Sequence, residues 1–364
     1  MNKTAERYNK YNNISNILTC MSNNQIEQII STGEPMHTGI GGTSLKIKIN
    51  HTPIFVKKIP ITDRELQADN YMSTANMFNL PMCYQYGIGS AGFGAWRELA
   101  THKITTNWVI TGECYNFPIM YHWRILTANI KNTISRSERD DLDQDTIYWE
   151  NNKEIHNRLK EKLEATQSIC LFIEFIPENL HEWLSKQSLN DTFIDTVKLV
   201  ENQIQETIDF MGSRNLLHMD AHFRNILTDG SRLYYSDFGL ALSSQFQLSM
   251  EEKKFFYKNI TYDKSSGILY LLNCIITSIS KRRNIILDDV SSFTNKLNQY
   301  KRMLNHEIKE IISSEPASLD MILKDYMPIA IKMDEFYYCL MKKDKSTQYP
   351  NNVFEKLLNN IGWD

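Results

Sequence analysis

The stretch LLHMDAHFRNILTDGSRLYYSDFG, residues 216–239, sets an acid, an amide and a second acid at the ends of short apolar runs. Upstream, VENQIQETIDFMGSRN has helical spacing and stops near Gly212. LLHMD and RNIL then read as short extended segments around a loop, and RLYYSDFG as a strand running into a turn. Asp220, Asn225 and Asp237 therefore fall at loop or strand ends. Taken singly, each acid is better explained as a loop cap, and His218 as a core histidine. Taken together they are the groups that phosphoryl transfer from a magnesium nucleotide needs: a carboxylate to orient a hydroxyl and accept its proton, and oxygen donors for the metal.

The rest of the chain divides around this stretch. A length of 364 residues exceeds what one core usually serves, so two lobes or domains are expected. Residues 1–35 are polar with helical spacing and read as a helical extension. SLKIKIN and IFVKKIPI alternate as strands joined by a turn at NHTP, AWRELATHKITTNW is helical, and SICLFIEFI is an apolar strand. Between them, residues 129–165 are highly charged and poor in apolar side chains, which predicts an exposed insertion whose second half is a solvated helix. From about residue 191 most segments are helical. The expected class is α+β, with a strand-rich region over 36–176 that includes the insertion, and a helical region over 177–364 that carries the 216–239 stretch.

Charge and cysteines narrow the setting. With 40 basic and 43 acidic residues the net charge is −3, no field for nucleic acid or an anionic membrane. The six cysteines show no metal-ligand spacing, and the chain is too long to need disulfide staples. The N-terminal twenty residues lack a signal-type apolar core, and the most apolar run, GILYLLNCII, is too short to span a bilayer. A soluble, cytoplasmic protein without nucleic-acid or membrane partners is expected; the pattern does not reveal its oligomeric state.

HMDAHFRN, with Asn225 five residues after Asp220, resembles the catalytic loop of the protein-kinase-like superfamily, and SDFG resembles its metal-binding turn. That resemblance implies a two-lobed kinase-like fold with a strand-rich N-lobe and a helical C-lobe. It implies ATP and Mg2+ as cofactors, Asp220 as catalytic base, Asn225 and Asp237 as metal ligands, and Gly239 as the turn residue. The activity implied is transfer of the γ-phosphoryl group of ATP to a hydroxyl. His222 stands where eukaryotic-type protein kinases carry lysine, and is similar to aminoglycoside phosphotransferases and choline-kinase-like enzymes. The segment after Gly239 also lacks an APE tripeptide. Both departures lean toward a small-molecule or atypical protein acceptor. A nucleotide-binding pseudokinase and AMP transfer to a protein are the alternatives on the same fold.

The resemblance also asks for a strand lysine, a glycine-rich hairpin and a helical glutamate. In IFVKKIPI, Phe55, Lys57, Ile59 and Ile61 share one face and Ile54, Val56, Lys58 and Pro60 the other, which favours Lys57 over Lys58 as the phosphate-binding lysine. TGIGGTS ends before LKIKI and offers the backbone of Gly39, Gly41, Gly42, Thr43 and Ser44 to phosphates. Glu98 is preferred as the partner of Lys57; Glu65 competes, but the capping-box pattern TDRE explains it. LFIEFIPENL resembles the hinge, with Ile173 as gatekeeper and the backbone of Glu174 and Ile176 turned to adenine. A rival reading takes GIGSAG, Gly87–Gly92, with Glu113 about twenty residues on, as a dinucleotide fingerprint. It fails because no strand–helix alternation follows and the three polar residues of the opening stretch go unexplained. Those glycines are expected to shape the approach to the helix instead.

Overall fold

The alternation in IFVKKIPI builds the central strand of the sheet that organises the first half of the chain. The computed structural model describes residues 3–39, 42–127, 134–187, 192–282, 294–296 and 317–363. Two units emerge: Met1–Ile176 with Ser236–Lys253, and Pro177–Tyr235 with Lys254–Asp364.

The first unit begins with α1 (Lys3–Cys20) and α2 (Asn23–Ser31), the latter opened by a Ser22–Gln25 capping box. Strands β1 (Glu34–Gly39), β2 (Gly42–Ile49) and β3 (Thr52–Ile61) follow, with β2 and β3 joined by a tight turn in which Asn50 and His51 have φ of 46° and 63°. Two successive left-handed residues give the turn a twist that matches paired strands, and asparagine tolerates that region well. After α3 (Asp63–Leu66) come α4 (Ala95–Ile110), β4 (Met120–Thr127), α5 (Arg136–Tyr148), α6 (Lys153–Leu163) and β5 (Gln167–Glu174). The five strands form one antiparallel sheet in the order β1-β2-β3-β5-β4, with Lys57 opposite Leu171.

Both faces of this sheet are covered. Ile59 and Ile61 join Ala95, Trp96, Leu99, Ile169, Leu171 and Ile173 in a core under α4. Ile54 and Val56, on the opposite face, are also fully buried; α1 packs on β4, and α2 on β2 and β4. The described part of the charged insertion is exposed or half-buried, as expected, apart from three side chains. It folds into α5 and α6, and Trp149 between them and Ile155 and Arg158 of α6 are 1–2% exposed. A few large side chains thus anchor a segment whose composition is otherwise that of a solvated face.

In the second unit, β6 (Glu178–Asn179), β8 (Ile226–Thr228) and β9 (Leu233–Tyr235) form a small antiparallel sheet in the order β6-β8-β9. Around it lie α7 (Leu180–Ser185), α8 (Thr192–Ser213) and the extended β7 (Leu216–Leu217). The division between units falls inside α9 (Met250–Lys258); beyond it run α10 (Tyr262–Arg282), α11 (Ala317–Lys342) and α12 (Asn351–Asn359). The chain is therefore a mixture of helices and antiparallel sheet, as the α+β expectation had it. Among the described residues no helix is long and apolar enough to cross a membrane.

Candidate functional site

In the first unit, strand phase delivers Lys57 to the face covered by α4, and Glu98 sits in the first turn of that helix. Lys57 Nζ lies 2.6 Å from Glu98 Oε1 and 2.7 Å from Asp237 Oδ1. The lysine and Glu98 side chains are 10% and 4% exposed, whereas Asp237 is 42% exposed. Burial alone would pull the Lys57 ammonium down, but Asp237 and Glu98 outweigh it and hold it above its ordinary range. Burial raises Glu98, Lys57 opposes, and the nearby Asp237 raises it further. Two carboxylates thus face the Lys57 ammonium, and Lys162 of α6 acts on Glu98 as a second cation. Lys58, opposite Thr43 and Cys170 on the other phase of the strand, is half-buried.

Asp237 adopts a left-handed backbone with φ 61°, uncommon for a residue other than glycine. The turn that contains it is held by contacts within the unit. Phe238 is buried edge-on against the His102 ring at 4.9 Å. Gln85 Nε2 donates to the Leu240 carbonyl at 2.5 Å. Gly92, the last residue of GIGSAG, has φ +75°, and a Cβ there would meet the Gly239 carbonyl oxygen at 2.3 Å. A side chain at position 92 would therefore displace the Asp237 turn.

Glu65 is buried and does not approach Lys57 as its ion-pair partner. It accepts from the Thr62 amide and hydroxyl at 2.9 Å, closing the expected capping box. It also pairs with Arg158 at 3.0 Å and accepts the Ala95 amide at 2.7 Å. The hairpin glycines fall differently from expectation. Gly39 pairs with Gly42, and Gly41 lies outside the described residues. Strand β2 starts at Gly42, so Thr43 and Ser44 stand within the ladder opposite Lys58 and Lys57 instead of in a loop before it. Strand pairing continued because a Cβ at Gly42 would meet the Lys58 carbonyl at 2.1 Å, and glycine permits that approach. Ile173 is buried opposite Phe55 and Met120. The Glu174 amide donates to the Ile119 carbonyl at 2.8 Å, and its carboxylate pairs with Arg7 of α1 at 2.7 Å. Ile176 is half-buried at the end of this segment.

The second unit holds the other polar cluster. Asn225 Nδ2 donates to the Asp220 carbonyl at 3.0 Å and to its Oδ2 at 3.1 Å. The loop closes on itself through the His222 amide to the Asp220 carbonyl, 2.8 Å, and the Asn225 amide to the His222 carbonyl, 2.7 Å. His222 Nε2 lies 4.0 Å from Asp220 Oδ1, and its ring stands edge-on to Tyr270. His218 is buried, and Met219 has φ 64°. That backbone is tied down by Asp263, whose carboxylate accepts the His218 and Met219 amides at 2.6 and 2.9 Å. Burial pushes Asp263 up to about 6, against the pull of those two amides.

Sequence reasoning missed Asp263 and Arg158. Asp263 sits in the first turn of α10, where an acid needs no explanation beyond the helix dipole. Arg158 lay in the segment read as solvated. Among the described residues no group of three or more His, Cys, Asp or Glu side chains converges as a metal site. Magnesium, however, uses one or two protein oxygens plus phosphates and needs no such cage. No family model matches the chain, and a search of curated proteins finds no relative.

Proposed function

We propose that the protein is an ATP- and magnesium-dependent phosphotransferase with a two-lobed kinase-like fold that moves the γ-phosphoryl group of ATP to a hydroxyl, on a small molecule or a protein side chain. The observation that carries the reading is Lys57 held between Glu98 and Asp237 at 2.6 and 2.7 Å, three residues far apart in sequence and each expected in a nucleotide-phosphate role. Lys57 binds phosphate oxygens and Glu98 fixes its direction. Asn225 and Asp237 would hold magnesium, which supplies positive charge on the phosphates. Asp220, oriented by Asn225, accepts the proton of the acceptor hydroxyl.

Magnesium ATP at a hundredfold excess over its Kd should stabilise the protein by about 2.7 kcal/mol, read as a rise in Tm, and Asp237→Asn should lose most of the magnesium-dependent part. Asp220→Ala should keep that stabilisation while turnover falls by about 10²- to 10⁴-fold. An unchanged Tm over millimolar magnesium ATP would refute the reading. Incubation of a cell extract with γ-labelled and α-labelled ATP decides between phosphoryl and AMP transfer by which label lands on the acceptor; transfer of neither, with binding intact, indicates a pseudokinase.

A further inference from the structure

We propose that the insertion helix α6 clamps the start of α4, with Arg158 and Glu65 as positioning residues that set Glu98 against Lys57. The first turn of any helix leaves amides without intrahelical partners, normally met by an N-cap side chain. In α4 the N-cap is Gly94, which has none. Glu65 fills the role from outside the helix, its Oε1 accepting the Ala95 amide at 2.7 Å and its backbone carbonyl accepting Trp96 Nε1 at 2.8 Å. A carboxylate there also complements the helix dipole. The site is sealed, so this carboxylate needs a counter-charge, and Arg158 provides it at 3.0 Å with both side chains at most 2% exposed. The guanidinium lies over the Phe78 ring at 4.7 Å. At the rim, Arg64 and Glu161 form a second tie between α3 and α6 at 2.5 Å. One helical turn separates Ala95 from Glu98, and loosening the first loosens the second.

The placement of Glu98 stands on these contacts alone; the consequence for turnover rests on the phosphotransferase reading. The test removes both charges with little change in volume, Glu65→Gln with Arg158→Met. The full-length protein is treated with sub-stoichiometric acetic anhydride, and acetylation of Lys57 is quantified by mass spectrometry against exposed Lys103 of α4. With Glu98 displaced, Lys57 loses the carboxylate that covers its ammonium at 2.6 Å, and the reagent reaches the amine more readily. Lys57 acetylation relative to Lys103 should rise severalfold at unchanged circular dichroism. An unchanged ratio in the folded variant overturns the clamp. Should the double variant not fold, Arg158→Lys keeps the charge but shortens the fork; a rise of about threefold supports the proposal and no rise overturns it. In the same variants, kcat for ATP should fall by about 10²-fold, the effect of a small misplacement at a reacting centre. A parent protein without ATP turnover counts against the phosphotransferase reading and leaves the acetylation ratio to decide the clamp.

Discussion

Asp263 is a carboxylate sealed beneath the backbone of residues 218–219, and its pH behaviour runs opposite to that of most paired acids. Burial lifts it from 3.8 to about 6 in the folded protein. Between those values the folded state holds a proton that the unfolded chain has released. Its contribution to stability is therefore greatest below the unfolded value and is lost as pH rises through the folded one, a swing of about 3 kcal/mol. The advantage of the parent over Asp263→Asn in chemical denaturation should be larger near pH 4 than near pH 8; a difference independent of pH would refute the assignment. Lys57 offers a second contrast. Lys57→Met strands two carboxylates, one of them buried, and should cost on the order of 2 kcal/mol together with phosphate positioning, whereas Lys58→Met on the opposite phase should stay within about 0.5 kcal/mol. Equal denaturation midpoints for the two variants would contradict the strand phase. That phase was legible in eight residues of sequence, because alternation needs only local information.

At the scale of elements, the hairpin, α4, β5 and the exposed insertion were legible, and the buried anchors of the insertion were not. Its charge count is that of a solvated face, yet Trp149 packs on Tyr84 at 4.7 Å and Arg158 reaches Glu65, 93 residues away. Local pattern carries no trace of so distant a partner, so neither the burial of Arg158 nor the second role of Glu65 could be read beforehand. The glycines of GIGSAG tempted a nucleotide reading for a related reason: a glycine needed for close backbone approach looks the same whether the neighbour is a phosphate or a peptide. Here the neighbour of Gly92 is Gly239. Gly92→Ala combines a left-handed backbone with a clash at 2.3 Å and should cost about 1–3 kcal/mol, seen as a lower Tm. A variant as stable as the parent would show that the Asp237 turn can move aside.

At the scale of the whole molecule, the first unit is assembled from two separate pieces of chain, and Ser236–Lys253 contributes more than apolar surface. It brings Asp237 to Lys57, Phe238 to His102, and Glu252 to Arg97 in a pair at 2.5 Å with both side chains at most 2% exposed. Burial pulls Arg97 down, and Glu252 opposes that. A fragment of residues 1–176 would bury an uncompensated guanidinium, a defect worth about 3–5 kcal/mol and so a large part of a domain's stability. That fragment should melt without cooperativity and be cleaved quickly by protease, and a synthetic peptide of residues 236–253 should restore protection in trans. Full protection without the peptide would show that the second piece is dispensable. Translation meets the same requirement in time. At about 5–20 residues per second, residues 177–235 take several seconds to emerge after β5 has left the ribosome. For that interval the nascent sheet waits with Arg97 and Lys57 each short of a carboxylate, a window in which a chaperone, or the choice of codons across this stretch, governs how much of the chain reaches its native state.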